Sequence, residues 1–190
     1  MKRIVGIDEA GRGAWAGPLI SAAVILKRPI PALNDSKQLT PAKRDELYDQ
    51  IMDFAEVGVG TASAQQIDEH GLTWAQKHTM QTALDEVNSQ DVDSIIIDGS
   101  LLYIDDPRAV AVVKADARYQ GVMAASIVAK VTRDRYMHGL DTDYPDYQLG
   151  SHKGYGTAAH REALRLYGPL KNIHRYSYKP VADGAKRLKV

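Results

Sequence analysis

Two carboxylates stand side by side near the start of the chain, in the stretch GIDEAGRGAWAGPL. Asp8 and Glu9 end a short apolar run, and Arg12, which is framed by glycines, follows three residues after Glu9. Adjacent acids suit a hard divalent cation, because Mg²⁺ and Mn²⁺ prefer oxygen ligands. An arginine on a glycine turn suits a phosphate or a sugar, since glycine lets the backbone approach a ligand closely.

Two more acids follow apolar runs later in the chain. Asp98 ends the run in DSIIIDGS (93–100), and Asp116 ends the run in AVAVVKAD (109–116). Functional groups collect at strand ends in open α/β sheets, so four acids that converge in this way indicate a metal site. Two divalent ions about 4 Å apart can hold the attacking and leaving oxygens of a phosphodiester. The alternative for any single acid is a solvated strand terminator.

The elements that position these acids are predicted by alternating apolar runs. RIVGID (3–8) and PLISAAVIL (18–26) indicate two strands of a hairpin. Consecutive strand residues point to opposite faces, so Asp8 and Glu9 share one site only if regular pleating stops there. We expect the strand to end at Ala10–Gly11.

The remaining pattern is that of an α/β domain. Thr40 predicts a helix N-cap, with Pro41 at the first helical position. The other predicted elements are strands at 55–63, 93–100 and 109–116, helices at 72–87, 119–137 and 158–168, and a loop at 141–157.

Composition narrows the function classes. The 190 residues include no cysteine, which excludes disulfides, thiolate zinc sites and cysteine nucleophiles. The length favours one domain, and no apolar run approaches the roughly 18 residues of a membrane helix. Since the start also lacks the apolar run of a signal peptide, we expect a cytoplasmic protein with no membrane partner.

Charge is distributed unevenly along the chain. Residues 1–150 hold 15 Lys and Arg against 22 Asp and Glu, whereas residues 151–190 hold 9 against 2. The basic segment interleaves aromatic residues with its charges, as in His152–Gly156 and His174–Tyr176, which suits nucleic acid. A solvated basic surface is the alternative. A histidine zinc site is disfavoured, because no motif links His152 to His160.

Two segments have features of phosphate-binding motifs. A dinucleotide-binding loop fails on spacing, because the glycines of GIDEAGRGAWAG do not fit G-x-G-x-x-G and Pro18 opens a strand where that motif needs a helix. Ser36–Lys37, in a loop before a helix, could contact phosphate.

Taken in order, the motifs resemble type 2 ribonuclease H, ribonuclease HII, over nearly the whole chain. They are GIDEAGRGAWAGPL, NDSKQLTPAKRDELY, IIIDGS, KADARYQGVMAASIVAKVTRD, YPDYQLGSHKGYGT and the His-Arg pair at 174–175. The resemblance implies an α/β ribonuclease H-like fold, with a central mixed β-sheet flanked by helices and a small helical C-terminal extension. It also implies a catalytic domain at 1–140 and a basic C-terminal segment at 141–190 packed on it as a single functional unit.

The resemblance implies two sets of site residues. The catalytic and metal-binding set, for Mg²⁺ or Mn²⁺, is Asp8, Glu9, Asp98 and Asp116. The substrate-binding set is Gly11, Arg12, Gly13, Tyr155, Lys37 and Lys153, of which the glycine-framed arginine and the tyrosine would read the 2′-hydroxyl of a ribonucleotide followed by DNA. Asp134 is expected to support the site from outside the catalytic set.

The implied activity is an endonuclease that hydrolyses the RNA strand of RNA–DNA hybrids and cuts 5′ of single ribonucleotides embedded in duplex DNA. Two-metal-ion catalysis would leave 3′-hydroxyl and 5′-phosphate ends. The alternatives are a carboxylate-metal DNA nuclease of the same fold and a catalytically silent hybrid-binding protein. We expect a monomer, and the end DGAKRLKV shows no glutamine-plus-aromatic motif for docking on a sliding clamp.

Overall fold

Runs of small and β-branched residues form five strands of one sheet in the computed structural model, which describes residues 3–33 and 39–187. The strands are β1 (Ile4–Ala10), β2 (Leu19–Leu26), β3 (Ala55–Ala62), β4 (Ser94–Asp98) and β5 (Ala109–Val112). Their order is β3-β2-β1-β4-β5. β1 runs antiparallel to β2 and parallel to β4, and β4 runs parallel to β5. The mixed sheet confirms the predicted α/β fold.

The helices predicted at 72–87, 119–137 and 158–168 are present among the described residues, together with further helices. In chain order, the helices are α1 (Pro41–Phe54), α2 (Ala64–His70), α3 (Leu72–Asp85), α4 (Gln120–Asp143), α5 (Leu149–His152), α6 (Ala158–Tyr167) and α7 (Lys179–Arg187). α1 begins where the sequence predicts, because the Thr40 hydroxyl accepts the Lys43 backbone N–H at 3.3 Å. α6 and α7 form the small helical C-terminal extension.

The chain divides into two compact units. The first comprises Met1–Ala10, Ile20–Thr61 and Gln76–Val131, and the second comprises Gly11–Leu19, Ala62–Ala75 and Thr132–Val190. The catalytic domain expected at 1–140 and the basic segment expected at 141–190 were defined by function. This division into compact units does not test them, so they stay predictions.

The first unit has helices on both faces of the sheet. On one face Leu47 and Ile51 of α1 and Ile127 of α4 pack with Val24 of β2. On the other face, residues of α3 pack against β1, β2 and β4, among them Met80, Ala83, Val5, Ile7, Ala23 and Ile97. The sheet is therefore buried on both sides, which explains why its central strands are apolar almost throughout.

The second unit is built mainly from helices. One cluster joins Met137 of α4 and Leu149 of α5 to Ala163 of α6. A second cluster gathers Ile67 of α2 and Ala75 of α3 with other buried side chains. The first cluster also contains Ala16 and the second contains Leu19, so both pack against the segment at residues 11–19.

Two sequence-based boundaries are wrong. β5 ends at Val112, so the strand predicted at 109–116 stops four residues early, and Lys114 adopts a left-handed conformation with φ of 57°. The loop predicted at 141–157 is largely helical, because α4 continues to Asp143 and is followed by a 3₁₀ turn (Pro145–Tyr147) and α5. Glycine and tyrosine suggested a loop there, but Tyr147 is buried and its hydroxyl donates to the Gly168 carbonyl at 2.7 Å.

None of the helices in the part of the chain that the structure describes combines the length and the apolar character needed to span a membrane.

Candidate active site

Asp8 and Glu9 lie near the carboxyl end of β1, which falls at Ala10 as the sequence predicts. The strand stays paired with β2 through both acids, because Glu9 lies opposite Ser21 and Ala10 lies opposite Ile20. Regular pleating thus continues through both acids and stops after Ala10. The two acidic side chains therefore leave the strand on opposite faces.

Helices on the two faces of the sheet hold these acids. Ser126 of α4 hydrogen-bonds the Asp8 carboxylate, which also accepts the Glu9 backbone N–H at 2.8 Å. On the other face, Gln76 of α3 donates from Nε2 to Glu9 Oε1 at 3.4 Å. Each acid is thus oriented by a polar side chain of the helix that it faces.

The environment of Asp8 penalises its charge. The residue is 8% exposed, and burial raises the pKa of its carboxyl well above the ordinary value of 3.8. The carboxylates of Glu9 and Asp98 add to this rise by repulsion, although hydrogen bonds from Glu9 and Ser126 oppose it. A cation would relieve this repulsion.

Asp98 and Asp116 are linked through the backbone. Asp98 is the last residue of β4, and the register that pairs Ile7 with Ile97 places it next to Asp8. Its Oδ1 accepts the Ala115 backbone N–H at 2.7 Å. Asp116 is buried within a 3₁₀ turn (Ala115–Ala117), not at a strand end as predicted, because β5 has already stopped. The bond from Ala115 fixes this turn beside the end of β4.

The donor chemistry of this cluster fits a hard divalent cation. Its groups are carboxylates, and three of them lie close enough for Glu9 and Asp98 to raise the pKa of Asp8. As the side chains stand, no three His, Asp or Glu residues within the described ranges are grouped tightly enough to hold one ion. Glu9 and Asp98 are partly exposed, so their carboxylates have room to rotate towards an ion.

The second unit contains a loop, residues 11–18, which we call the glycine loop. Two buried arginines bind its carbonyls. Arg133 donates to Ala16 O at 2.9 Å and to Pro18 O at 2.9 Å. Arg175 donates to Gly17 O at 2.9 and 3.1 Å and to Arg12 O at 3.2 Å. The shape of the loop is thus fixed by two guanidinium groups.

These arginines are unusual because they are 1% and 0% exposed and bind mainly backbone carbonyls. Burial lowers the pKa of Arg133 to about 10 and also lowers that of Arg175. Both remain cations at neutral pH. Asp134 acts on Arg133 by charge and opposes the effect of burial.

Tyr155 lies close to the glycine loop within the same unit. The Gly154 carbonyl accepts the backbone N–H groups of Trp15 at 2.8 Å and of Ala16 at 3.3 Å. A Cβ on Gly154 would lie 2.4 Å from Ala16 O, and one on Gly156 would lie 2.2 Å from the Trp15 ring. Both glycines are needed for this approach, which brings together motifs about 140 residues apart.

Gly11 and Gly13, on either side of Arg12 in the glycine loop, have different surroundings. Gly11 has φ of 98°, and a Cβ there would lie 2.1 Å from Arg133 Nε. Gly13 has no such constraint, because a Cβ built on it meets nothing within 4 Å. The Arg12 side chain is exposed, and its carbonyl also accepts the Tyr178 hydroxyl at 2.8 Å. Packing therefore explains the glycine at 11 but not the glycine at 13.

The two predicted lysines have different outcomes. Lys37 lies outside the described residues. Lys153 donates its ammonium group to the Gly150 carbonyl and to His138 Nε2 at 2.7 Å, so its charge is held against the end of α4. A phosphate contact by Lys153 would have to replace these bonds.

The structure also identifies functional candidates that the sequence reasoning missed. These residues are Gln76, Ser126, Arg133 and Arg175. The two arginines stood in quoted motifs, in KVTRD and in the His-Arg pair, but only the fold reveals the carbonyls that they bind. No spacing connects Gln76 or Ser126 to the acids.

The chain is similar to known proteins both in sequence and in fold. A family model described as Ribonuclease HII matches residues 5–181. A ribonuclease HII of Pseudothermotoga lettingae is 45% identical over 98% of this chain and 82% of its own length.

Two solved structures share the fold. The ribonuclease H2 of Pyrococcus horikoshii has a TM-score of 0.79 and 29% identity, covering 98% of this chain and 99% of its own. Bst-RNase HIII, solved in complex with Mn²⁺, has a TM-score of 0.75 and 21% identity, covering 98% and 71%. The family model and the curated relative both span most of the chain, so the chain belongs to the ribonuclease HII family and is an endoribonuclease of the ribonuclease H type.

Proposed function

We propose that this endonuclease cuts on the 5′ side of a single ribonucleotide embedded in duplex DNA, as well as within the RNA strand of RNA–DNA hybrids. Water adds to phosphorus, and the bond to the 3′-oxygen of the preceding nucleotide breaks. The products carry a 3′-hydroxyl and a 5′-phosphate. The 2′-hydroxyl is recognised by the protein and does not act as the nucleophile.

The observation that carries the catalytic part is the repulsion among the acids. Asp8 is buried beside Glu9 and Asp98, and both raise its pKa. Such an arrangement costs stability unless a cation offsets it, and perturbed groups of this kind concentrate at functional sites. Bst-RNase HIII, which shares the fold, was solved in complex with Mn²⁺, an ion of the hard class that carboxylate oxygens suit.

Each residue of the carboxylate cluster has a defined part in this proposal. Two bound Mg²⁺ or Mn²⁺ ions would activate water and neutralise the charge that develops on the leaving oxygen. Asp8, Glu9, Asp98 and Asp116 would hold the metal. Ser126 and Gln76 orient Asp8 and Glu9, and the Ala115 N–H orients Asp98.

Recognition of the ribose is assigned to the second unit. Gly13 has room for a side chain and a backbone that does not require glycine, so a ligand that approaches the chain there accounts for it. Arg12 and Tyr155 are exposed next to backbone that is firmly held. We assign Gly11, Arg12, Gly13 and Tyr155 to the sugar and phosphate of the ribonucleotide, and contacts by Lys37 and Lys153 remain part of the proposal. A contact to the 2′-hydroxyl is what distinguishes RNA from DNA.

The decisive experiment uses duplex DNA that contains one ribonucleotide, incubated with Mg²⁺ or Mn²⁺. Wild-type protein should nick it on the 5′ side of the ribonucleotide, and Asp98→Asn should reduce the rate by about 10³-fold or more. The matched control is Asp105→Asn, which removes one exposed acid from the same unit and should cut at the wild-type rate. Mapping both ends of the product checks the chemistry.

The alternatives predict other outcomes. Equal cutting of an all-DNA duplex would identify a DNA nuclease of this fold. Tight binding to the hybrid without metal-dependent cutting would identify a silent binding protein. An undiminished nick with Asp98→Asn would refute the assigned mechanism. We further infer that the chain acts as a monomer, which sedimentation of the active protein tests.

A further inference from the structure

Three buried histidines contact one another, one of them also contacts Tyr155, and none takes part in the function proposed above. His152, His160 and His174 are 8%, 0% and 1% exposed. The rings of His152 and His160 stack with centroids 4.4 Å apart, and those of His160 and His174 lie 5.2 Å apart. All three belong to the second unit. We call them the histidine cluster.

The partners of His160 fix the position of its proton. Its Nδ1 lies 3.0 Å from the Tyr155 carbonyl oxygen, which can only accept, so Nδ1 carries the hydrogen. Burial lowers the pKa of this ring to about 4, so it is neutral at pH 7. A neutral imidazole with a proton on Nδ1 has an acceptor at Nε2.

The proton of His174 is fixed from both sides. Its Nε2 lies 3.0 Å from His160 Nε2 and must donate to that acceptor. Its Nδ1 is then an acceptor, and it receives the Leu170 backbone N–H at 2.9 Å. The hydrogen bonds form one directed chain, in which Leu170 donates to His174, His174 to His160, and His160 to the Tyr155 carbonyl.

His152 supports the same segment through two further hydrogen bonds. Its Nε2 donates to the Tyr147 carbonyl at 2.8 Å, and its Nδ1 accepts the Gly154 backbone N–H at 3.2 Å. Every ring nitrogen of the cluster therefore has a partner with one consistent direction. A metal ion would have to displace one of these bonds. The hydrogen bonds of the cluster instead hold the backbone at residues 154 and 155.

The backbone that it supports needs such support. Lys153 is left-handed, with φ of 54°, and Gly154 follows with φ of 76°. A non-glycine residue in the left-handed region is strained, and strain persists only where surrounding contacts determine the conformation. Tyr155 is the next residue, so any relaxation of this turn would redirect its ring.

We propose that His160 and His174 are positioning residues for ribonucleotide recognition, acting as a directed hydrogen-bond chain that fixes Tyr155 through its carbonyl oxygen. The proposal rests on the assignment of Tyr155 to the sugar. His160 has the direct contact, and His174 fixes the direction in which His160 donates.

Two substitutions of His160 separate the two halves of the hydrogen-bond chain, which are its bond to Tyr155 and its bond to His174. In His160→Asn the side-chain amide lies near the former Nδ1 and can still donate to Tyr155, but it no longer reaches His174. In His160→Gln the amide reaches the former Nε2 and can still bind His174, but it loses Tyr155. Both variants lose one buried hydrogen bond, which makes them matched for stability.

The expected kinetic result is a difference between these variants. On duplex DNA with one ribonucleotide, His160→Gln should raise KM by about tenfold with kcat nearly kept, whereas His160→Asn should raise KM by no more than about threefold. His174→Gln, which removes the remote donor, should fall between them. Equal changes of KM in both His160 variants, in proportion to their loss of Tm, would show a purely structural role and overturn the proposal.

A second measurement does not depend on substrate. Nitrogen-15 NMR of the histidine rings should show a proton on Nδ1 of His160 and on Nε2 of His174, and the Tyr155 amide signal should move more in His160→Gln than in His160→Asn. A proton on Nε2 of His160 would refute the chain. If Tyr155→Ala leaves KM and kcat unchanged while the NMR result holds, the sugar assignment has failed and the hydrogen-bond chain has not.

Discussion

In the proposed site, Asp8 is the residue at which metal binding and stability oppose each other. Its pKa is raised, so the folded state binds a proton more tightly than the unfolded chain. Its ionised form therefore lowers the free energy of unfolding once pH exceeds the unfolded pKa near 3.8. In metal-free buffer at neutral pH, Asp8→Asn should raise Tm by several degrees.

The sign of this effect can be tested with pH and metal. Below about pH 3 the wild-type carboxyl is protonated in both states, so the advantage of Asp8→Asn should vanish. Mg²⁺ or Mn²⁺ should raise Tm of the wild type and have much less effect on the variant. Calorimetry with Asp105→Asn as the control gives the comparison, and a lower Tm for Asp8→Asn at neutral pH would contradict it.

Gly11 and Gly13 should respond in opposite ways to alanine. Gly11→Ala places a Cβ against Arg133 at a φ of 98°, so it should cost about 2 kcal/mol or more of unfolding free energy. Gly13→Ala meets open space, so stability should change by less than about 0.5 kcal/mol. If a substrate approaches the backbone at residue 13, the same variant should raise KM severalfold. Denaturant unfolding and steady-state kinetics on both variants decide this, and an unchanged KM for Gly13→Ala would remove residue 13 from the site.

At the scale of elements, the glycine loop depends on guanidinium geometry. Arg175 binds two carbonyls with a planar fork, which lysine cannot reproduce. Arg175→Lys keeps the charge but leaves a buried carbonyl without its donor. Each such carbonyl lowers the free energy of unfolding by about 1–3 kcal/mol. We expect a loss of about 2 kcal/mol and a higher KM for the ribonucleotide substrate. Retained stability and KM would mean that charge alone suffices.

The histidine cluster makes the second unit sensitive to acid. Burial and mutual repulsion lower the pKa of His160 to about 4 and that of His174 to about 3. As pH falls below about 6.5, these histidines become protonated in the unfolded chain but stay neutral in the folded protein. The free energy of unfolding therefore falls until pH reaches the folded pKa values. The slope of the unfolding free energy against pH reports how many more protons the unfolded state binds. His174→Gln should reduce that slope by about one proton, which unfolding curves between pH 7 and pH 4.5 would show. An unchanged slope would mean that His174 does not titrate on unfolding.

The elements were predictable where local signals decide, and not where tertiary contacts decide. Thr40 and Pro41 fixed the start of α1 because capping is local. The turn that holds Asp116 was not predictable, since its position depends on the bond from Ala115 to Asp98, 17 residues away. The roles of Arg133 and Arg175 escaped detection for the same reason, because backbone carbonyls leave no mark in a sequence.

At the scale of the whole molecule, the charge distribution predicts how substrate affinity depends on salt. The excess of basic residues falls in residues 151–190, and a groove of about 390 Å³ in the second unit is lined by Trp15, Arg161 and Lys179 among others. Each cation that neutralises a phosphate adds about one to the slope of log affinity against log salt concentration. Lys179→Gln should therefore weaken hybrid binding and reduce that slope by about one, with kcat unchanged. Lys27→Gln removes the same charge from the acidic part of the chain and should leave the slope as it is. Fluorescence anisotropy across a salt series measures both, and equal slopes for Lys179→Gln and wild type would show that the groove does not contact the nucleic-acid backbone.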